Sequence, residues 1–399
     1  SEFLARAGID GVKYPANSFG RVTKDGNKTG WDYVSFTGRH LRVDHKWKDG
    51  TQLYSVGRYN PRALVPKVRG GWTEQKIIRY LKTHGSLKGE STALRLMAEC
   101  VCENWGIVVH DCDGMENLVR IGTLPSGAPC VIAKVAAEAE LLVSEGFIEP
   151  HFFAGFSGGR KSVLPGVADQ VTVLGNHCSK FIDSPFARTG VLDGNPLHAD
   201  MVAAAKMAKL AFIVNVVIDE EKKTVAAFAG DPFAAHRKGC DFLLGYAQVA
   251  PKPADIVITS NGGAPLDQNL YQCVKGMTAA EATCNPGGVI IDCVECADGH
   301  GGQSFYESLR DCESADAFYA QCLATPQDKT IPDQWEAQIL ARIIRNFTVI
   351  VVSRPGMKTM VEEMKMRYAA TLDEAIGLSR ALGKKTMTVI PNGISVIVR

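Results

Sequence analysis

From about residue 107 onward, short apolar runs recur, each bounded by glycine, proline or polar residues. The runs at 107–110, 130–133, 141–144, 212–218, 225–228, 255–260, 289–293, 348–353 and 387–391 read as strands. Runs of this length, with polar residues sparse inside them, fit a sheet covered on both faces. Between them the apolar spacing lengthens to that of a helix: 92–103, 198–210 behind the start signal Asn195-Pro196, 234–244, 266–280, parts of 303–345, and 372–382. Alternation of this kind predicts an α/β protein with two α/β domains and largely parallel sheets.

The first 90 residues break this pattern. They are rich in Tyr, Trp, Gly and Lys, with dense turns and no strand–helix alternation before Trp72. They carry 17 Lys and Arg against 8 Asp and Glu, whereas the remainder carries 27 against 35. Cysteine begins at Cys100 and methionine at Met97, so composition places a boundary near residues 90–97. The expected division is an atypical segment over 1–90, which could be a fusion, an α/β domain over 91–252 rejoined by 384–399, and a second α/β domain over 253–383. The Pro-rich stretch Ala250-Pro251-Lys252-Pro253 marks the second boundary.

Composition narrows the function classes. A net charge of +1 argues against bulk binding to nucleic acid or anionic membranes. No apolar run approaches the roughly 20 residues needed to span a bilayer. Twelve cysteines include one Cys-x-x-Cys, Cys293 to Cys296, with no second pair to complete a zinc site. Reduced thiols in a cytoplasmic protein are expected.

The richest chemistry lies in His151-Phe152-Phe153-Ala154-Gly155-Phe156-Ser157-Gly158-Gly159-Arg160-Lys161-Ser162. Three glycines allow close backbone approach, and two cations follow, an arrangement suited to a phosphate-bearing cofactor. It is not a Walker A loop, because Arg160 stands where that motif needs glycine. His151 precedes Lys161 by ten residues, and His177 follows it by sixteen. His110 lies in Val108-Val109-His110-Asp111-Cys112-Asp113.

From about residue 91 to the end, these stretches, with Glu145-Gly146-Phe147-Ile148-Glu149-Pro150, Leu174-Gly175-Asn176-His177 and Pro265-Leu266-Asp267-Gln268-Asn269-Leu270-Tyr271-Gln272-Cys273-Val274-Lys275, resemble the nickel-dependent lactate racemase family. The resemblance implies a cofactor and active site in the cleft between two α/β domains. It implies a nickel-pincer nucleotide joined covalently to Lys161, with His177 as nickel ligand and Gly158, Gly159, Arg160, Ser162 and Trp335 around the nucleotide. His110 and His151 are implied as acid/base catalysts, Lys275 as a catalytic and substrate-binding group, and Tyr271 and Gln272 as substrate contacts. The implied reaction interconverts D- and L-lactate by hydride transfer to the cofactor through pyruvate, with cofactor-making enzymes as cellular partners. Histidine suits the proton work, since its ordinary pKa of about 6.5 makes both forms accessible near neutrality.

One departure stands out. The family's N-terminal Asp-x-Thr-Arg-Pro motif, whose arginine binds the substrate carboxylate, is missing; Arg58 and Asn60-Pro61-Arg62 are poor substitutes. Two alternatives therefore stay open: another 2-hydroxy acid as substrate, or a protein that binds the nucleotide without turnover. A nicotinamide dehydrogenase would need Gly-x-Gly-x-x-Gly after a strand, and no such arrangement occurs.

Overall fold

The computed structural model describes residues 108–219 and 223–399, and the backbone of four earlier strands, Gly11–Pro15, Trp31–Ser35, Arg42–Lys48 and Thr51–Arg58. The chain divides into two compact units, Ser1–Asp111 and Cys112–Arg399. In the first unit, Gly11–Pro15 pairs antiparallel with Trp31–Ser35, and Arg42–Lys48 with Thr51–Arg58. The helix expected over 92–103 and the boundary at 90–97 lie outside the described residues. The strand expected at 107–110 is corrected at its described positions. Val108, Val109 and His110 run outside any strand, and both valines are exposed, so this apolar pair has no sheet face to bury.

The second unit contains two main sheets. In the first, β1 (Leu142–Phe147) runs parallel to β2 (Leu210–Ile218), and β2 pairs antiparallel with β3 (Thr224–Gly230). Helices α1 (Gln170–Asn176), α2 (Pro196–Met207) and α3 (Pro232–Ala247) accompany it. The starts of α2 and α3 are chemically explicit. Asn195 accepts from the N–H groups of Leu197 and His198, and Asp231 from those of Phe233 and Ala234. Each is followed by proline in the first turn, where the missing N–H costs nothing.

The second sheet has five parallel strands: β4 (Ala254–Thr259), β5 (Cys284–Cys293), β6 (Thr348–Val352), β7 (Arg367–Ala369) and β8 (Met387–Ile390), in the order β7-β6-β5-β4-β8. Alternate side chains leave opposite faces. Val257, Ile290, Val349 and Val351 pack in one core with Leu270, Val274 and Met277 of α4 (Leu270–Glu281) and Leu340 of α5 (Gln334–Asn346). Ile256, Ile291 and Ile350 pack on the other side with Ala375 of α6 (Leu372–Ala381). Helix α4 begins at Leu270, four residues later than the apolar spacing suggests. Asn269 caps it by accepting from the Gln272 N–H, while Leu266 belongs to a turn closed on Gly263. After β8, Ile397–Val398 pairs with Gln248–Val249, and Ile397 is buried among Ile148, Phe156 and Leu192.

Candidate active site

The glycine loop forms in three steps. Pro150–His151 pairs with Gly155–Phe156, the backbone crosses Gly158 at φ 73°, and a 3-10 turn follows over Gly159–Ser162. The glycines are required by the protein's own packing. A Cβ on Gly158 would meet Asn215 Oδ1 and the Phe147 carbonyl at 2.9 Å; one on Gly159 would meet the His236 ring at 2.7 Å. The Gly159 N–H donates to Asn215 Oδ1 at 2.7 Å, which ties the loop to β2.

Arg160 and Lys161 are neighbours in sequence but serve different surroundings. Arg160 is 1% exposed and donates to the carbonyls of Phe156 at 2.8 Å and Ala154 at 2.7 Å, and to His198 Nδ1 at 3.0 Å. It braces the loop from within. Lys161 Nζ lies 3.0 Å from His151 Nε2 and over the Phe153 ring. Burial, then Arg160 and Lys275, lower its pKa to about 7. Ser162 is partly exposed at the end of the turn.

The proton positions in the Lys161–His151 pair follow from the hydrogen bonds. The Ala154 N–H donates to His151 Nδ1 at 3.2 Å, so neutral His151 carries its proton on Nε2. That Nε2–H can donate to Lys161 only if the lysine is a neutral amine. Burial and the adjacent cations, Lys161 first, push the His151 pKa well below its ordinary value, so both groups favour the neutral state.

His177 follows α1 and is buried. Its Nδ1 is 3.0 Å from the Val173 carbonyl, which fixes the proton there and leaves the Nε2 lone pair available. Burial, then Lys161, lowers its pKa to about 3. Phe153 and Trp335 wall the ring, with centroids 5.2 and 4.9 Å away. The Trp335 indole N–H donates to the Tyr271 hydroxyl at 3.0 Å, which links α5 to α4. One turn along α4, Lys275 Nζ donates to Gln272 Oε1 at 2.6 Å.

The structure thus groups His151, Lys161, His177, Trp335, Tyr271, Gln272 and Lys275 in contiguous contacts or mutual electrostatic range. His110 is partly buried and belongs to the unit ending at Asp111. Sequence reading missed Phe153, Asp333 and Glu336. Glu336 is buried one residue from Trp335, and burial raises its pKa well above the ordinary range, with Lys275 opposing. The only signal for it was adjacency to Trp335. A cavity of about 610 Å³ beside Cys178 and Asp200 is lined by none of the candidate residues, so volume alone does not locate this site.

An α/β scaffold thus sets a buried lysine of lowered pKa beside a buried histidine, under an aromatic wall. The comparisons supply the family. Residues 43–190 match the lactate racemase N-terminal domain, so the likeness begins inside the segment 1–90 that the sequence reading left outside the family, and residues 249–398 match the lactate racemase C-terminal domain. The chain belongs to the lactate racemase family and is an isomerase of the racemase type. It is 56% identical over 303 residues to the lactate racemase of Thermoanaerobacterium thermosaccharolyticum, covering 75% of this chain and 71% of that one. It is 54% identical over 303 residues to the lactate racemase of Lactiplantibacillus plantarum, covering 75% and 72%. The lactate racemase apoprotein structure from T. thermosaccharolyticum superposes with a TM-score of 0.75 at 55% identity, covering 77% of this chain and 75% of that chain. A Thermotoga maritima protein at 18% identity, with a TM-score of 0.56 over 81% and 83% of the two chains, shares the fold.

Proposed function

We propose that this racemase interconverts D- and L-lactate with a nickel-pincer nucleotide attached to Lys161. The observation that carries this is the Lys161–His151 pair: an amine with its pKa lowered to about 7, at 3.0 Å from an imidazole, in the loop the family resemblance marks. The residues present fit the cofactor. Among the described residues no group of three or more His, Cys, Asp and Glu could hold a metal ion. His177 supplies a single donor of fixed tautomer, as a pre-chelated nickel requires.

When bound, the cofactor would supply a two-electron acceptor for the hydride of the substrate Cα. Everything else falls to the chain. Lys161 uses its neutral amine as the tether. His151 is the base the resemblance assigns, and to take the hydroxyl proton on Nε2 it must release the Ala154 N–H and carry its own proton on Nδ1. Lys275 neutralises the carboxylate or polarises the keto oxygen, held by Gln272. Tyr271 is assigned to the substrate side, and Gly158, Gly159, Arg160, Ser162 and Trp335 to the surroundings of the nucleotide, by the family resemblance. His110 as second base rests on its motif alone. Buried thiols such as Cys130, Cys273 and Cys322 support a reduced cytoplasmic setting. Among the described residues no helix is long and apolar enough to cross a membrane. The missing Asp-x-Thr-Arg-Pro motif favours the second reading, a nucleotide binder with little turnover.

Co-expression with the cofactor-making enzymes tests the proposal. Intact mass should show an adduct on Lys161 and none on Lys161→Ala, and chiral analysis should show D- and L-lactate equilibrating. His110→Ala should keep the adduct and lose most turnover. Full racemisation by protein carrying an unmodified Lys161 would overturn the tether. An adduct without racemisation selects the second reading.

A further inference from the structure

The Arg160 side of the loop opens a second question. Arg160 is a fully buried cation, yet among the described residues no carboxylate lies within ion-pair distance of it. Its donors go to neutral groups: the carbonyls of Ala154 and Phe156, and His198 Nδ1. Its Nη1 also lies 3.1 Å from His236 Nε2, which is in turn 2.8 Å from the Ser157 carbonyl. A buried charge without a counter-charge is expensive, and carbonyl dipoles offset only part of that cost.

Beside this guanidinium lies a cavity of about 310 Å³, bounded by Arg160, His198, Lys206, His236 and Arg237, with Leu192 and Phe233 among its apolar walls. Five nitrogen-bearing side chains and no carboxylate line it. Arg237 is already engaged by Asp193, through two bonds of 2.8 Å, and by Asp241 at 3.5 Å. Lys206 sits over the Phe233 ring and has no carboxylate partner among the described residues. His198 accepts from Arg160 on Nδ1, so its neutral form carries a proton on Nε2. That proton has no partner among the described residues and is the donor left for an occupant. The cavity is lined by none of Lys161, His151, His177 and Trp335, so it is separate from the reactive amine.

We propose that the cavity between α2, α3 and the turn Gly159–Ser162 binds a phosphate-class oxyanion, either free phosphate or the phosphoryl end of a small molecule. The occupant supplies the negative charge that Arg160 lacks and accepts from His198 Nε2–H and Lys206. Such charge-assisted bonds are about twice as strong as neutral ones. The apolar walls leave room for a short organic portion. Burial and Arg160 lower the pKa of His198 to about 4 and of His236 to about 3, and an anion in place reverses part of that shift. The inference does not rest on the racemase reading.

Calorimetric titration of the full chain with inorganic phosphate, in a chloride-matched buffer, tests it. Saturable binding of one phosphate per chain is expected, weakened on the order of tenfold in Lys206→Met and again in His198→Gln. In parallel, the His198 imidazole resonances should titrate at higher pH with phosphate present. No saturable heat, or binding unchanged in both variants, overturns the site. Lys161→Ala should bind phosphate as the parent does, and loss of binding there would place the anion at the amine instead. The cofactor-loaded protein identifies the source. Continued binding assigns the cavity to a free oxyanion, and competition assigns it to the nucleotide's own phosphate.

Discussion

The neutrality of one amine governs the chemistry at the residue scale. An ordinary lysine is protonated up to about pH 10.4, so at neutrality it is a poor nucleophile. Lys161 is lowered to about 7 by burial, with Arg160 and Lys275 adding repulsion. Above pH 7 the free amine dominates, and below it the ammonium. Acylation of Lys161 by an amine-selective ester, followed by peptide mass mapping, should therefore show a rate midpoint near pH 7, well below the roughly pH 10 of an ordinary lysine. Lys275→Met removes one of the repelling cations and should move the midpoint upward. A midpoint for Lys161 shared with the surface lysines would show that the amine is not held neutral. Asp333 and Glu336 near Tyr271 raise its pKa further beyond what burial does, so Tyr271 acts as a neutral hydroxyl throughout the working range.

At the scale of elements, the turn Gly159–Ser162 is fixed by what packs around it. Gly159 has φ 55°, and a Cβ there would strike the His236 ring, which is buried and held by the Ser157 carbonyl. Gly127 has φ 90° with nothing within 4 Å of its added Cβ. Gly127→Ala therefore carries only the backbone penalty of about 1 kcal/mol, whereas Gly159→Ala adds overpacking of about 1–3 kcal/mol. Thermal melts should show Gly159→Ala falling further by several degrees, and equal melting temperatures would mean the turn is free to relax. The same contrast explains what was legible in the sequence. The run Thr348–Val352 has no polar side chain after its first residue, and only a strand buried on both faces accommodates that, so it was readable. Val108 and Val109 looked alike in kind but lack a sheet to join, which depends on the rest of the chain. The glycines and Lys161 were recognisable by type and spacing. The divergence of Arg160 and Lys161 into separate environments was not, because it depends on where α2 and α3 pack against one short turn.

Across the second unit, buried ionisable groups of opposite sign oppose one another in setting stability against pH. Near the first sheet, His236 is buried and lowered to about 3. The unfolded chain binds a proton there below about pH 6.5 while the folded chain does not, so stability falls as pH drops through that range, by roughly 1 kcal/mol between pH 6.5 and 5.5. In the second sheet, Asp292 on β5 is 0% exposed, both carboxyl oxygens lack hydrogen-bond partners, and burial pushes its pKa well above 3.8, with Asp267 adding to it. Its sign is opposite. The folded chain keeps the proton that the unfolded chain releases above about pH 4, so stability falls as pH rises, by about 1.4 kcal/mol per unit until the folded group ionises. The parent can thus show a flat profile that conceals two steep contributions, and single substitutions should separate them. Relative to the parent, Asp292→Asn should gain stability as pH rises above about 4, while His236→Gln should gain it as pH falls from 6.5 to 5.5. Calorimetric melts of the three proteins over this range give the slopes, which do not depend on any fixed cost of the substitutions. Parallel profiles would mean that neither group keeps its unusual protonation state in the folded protein.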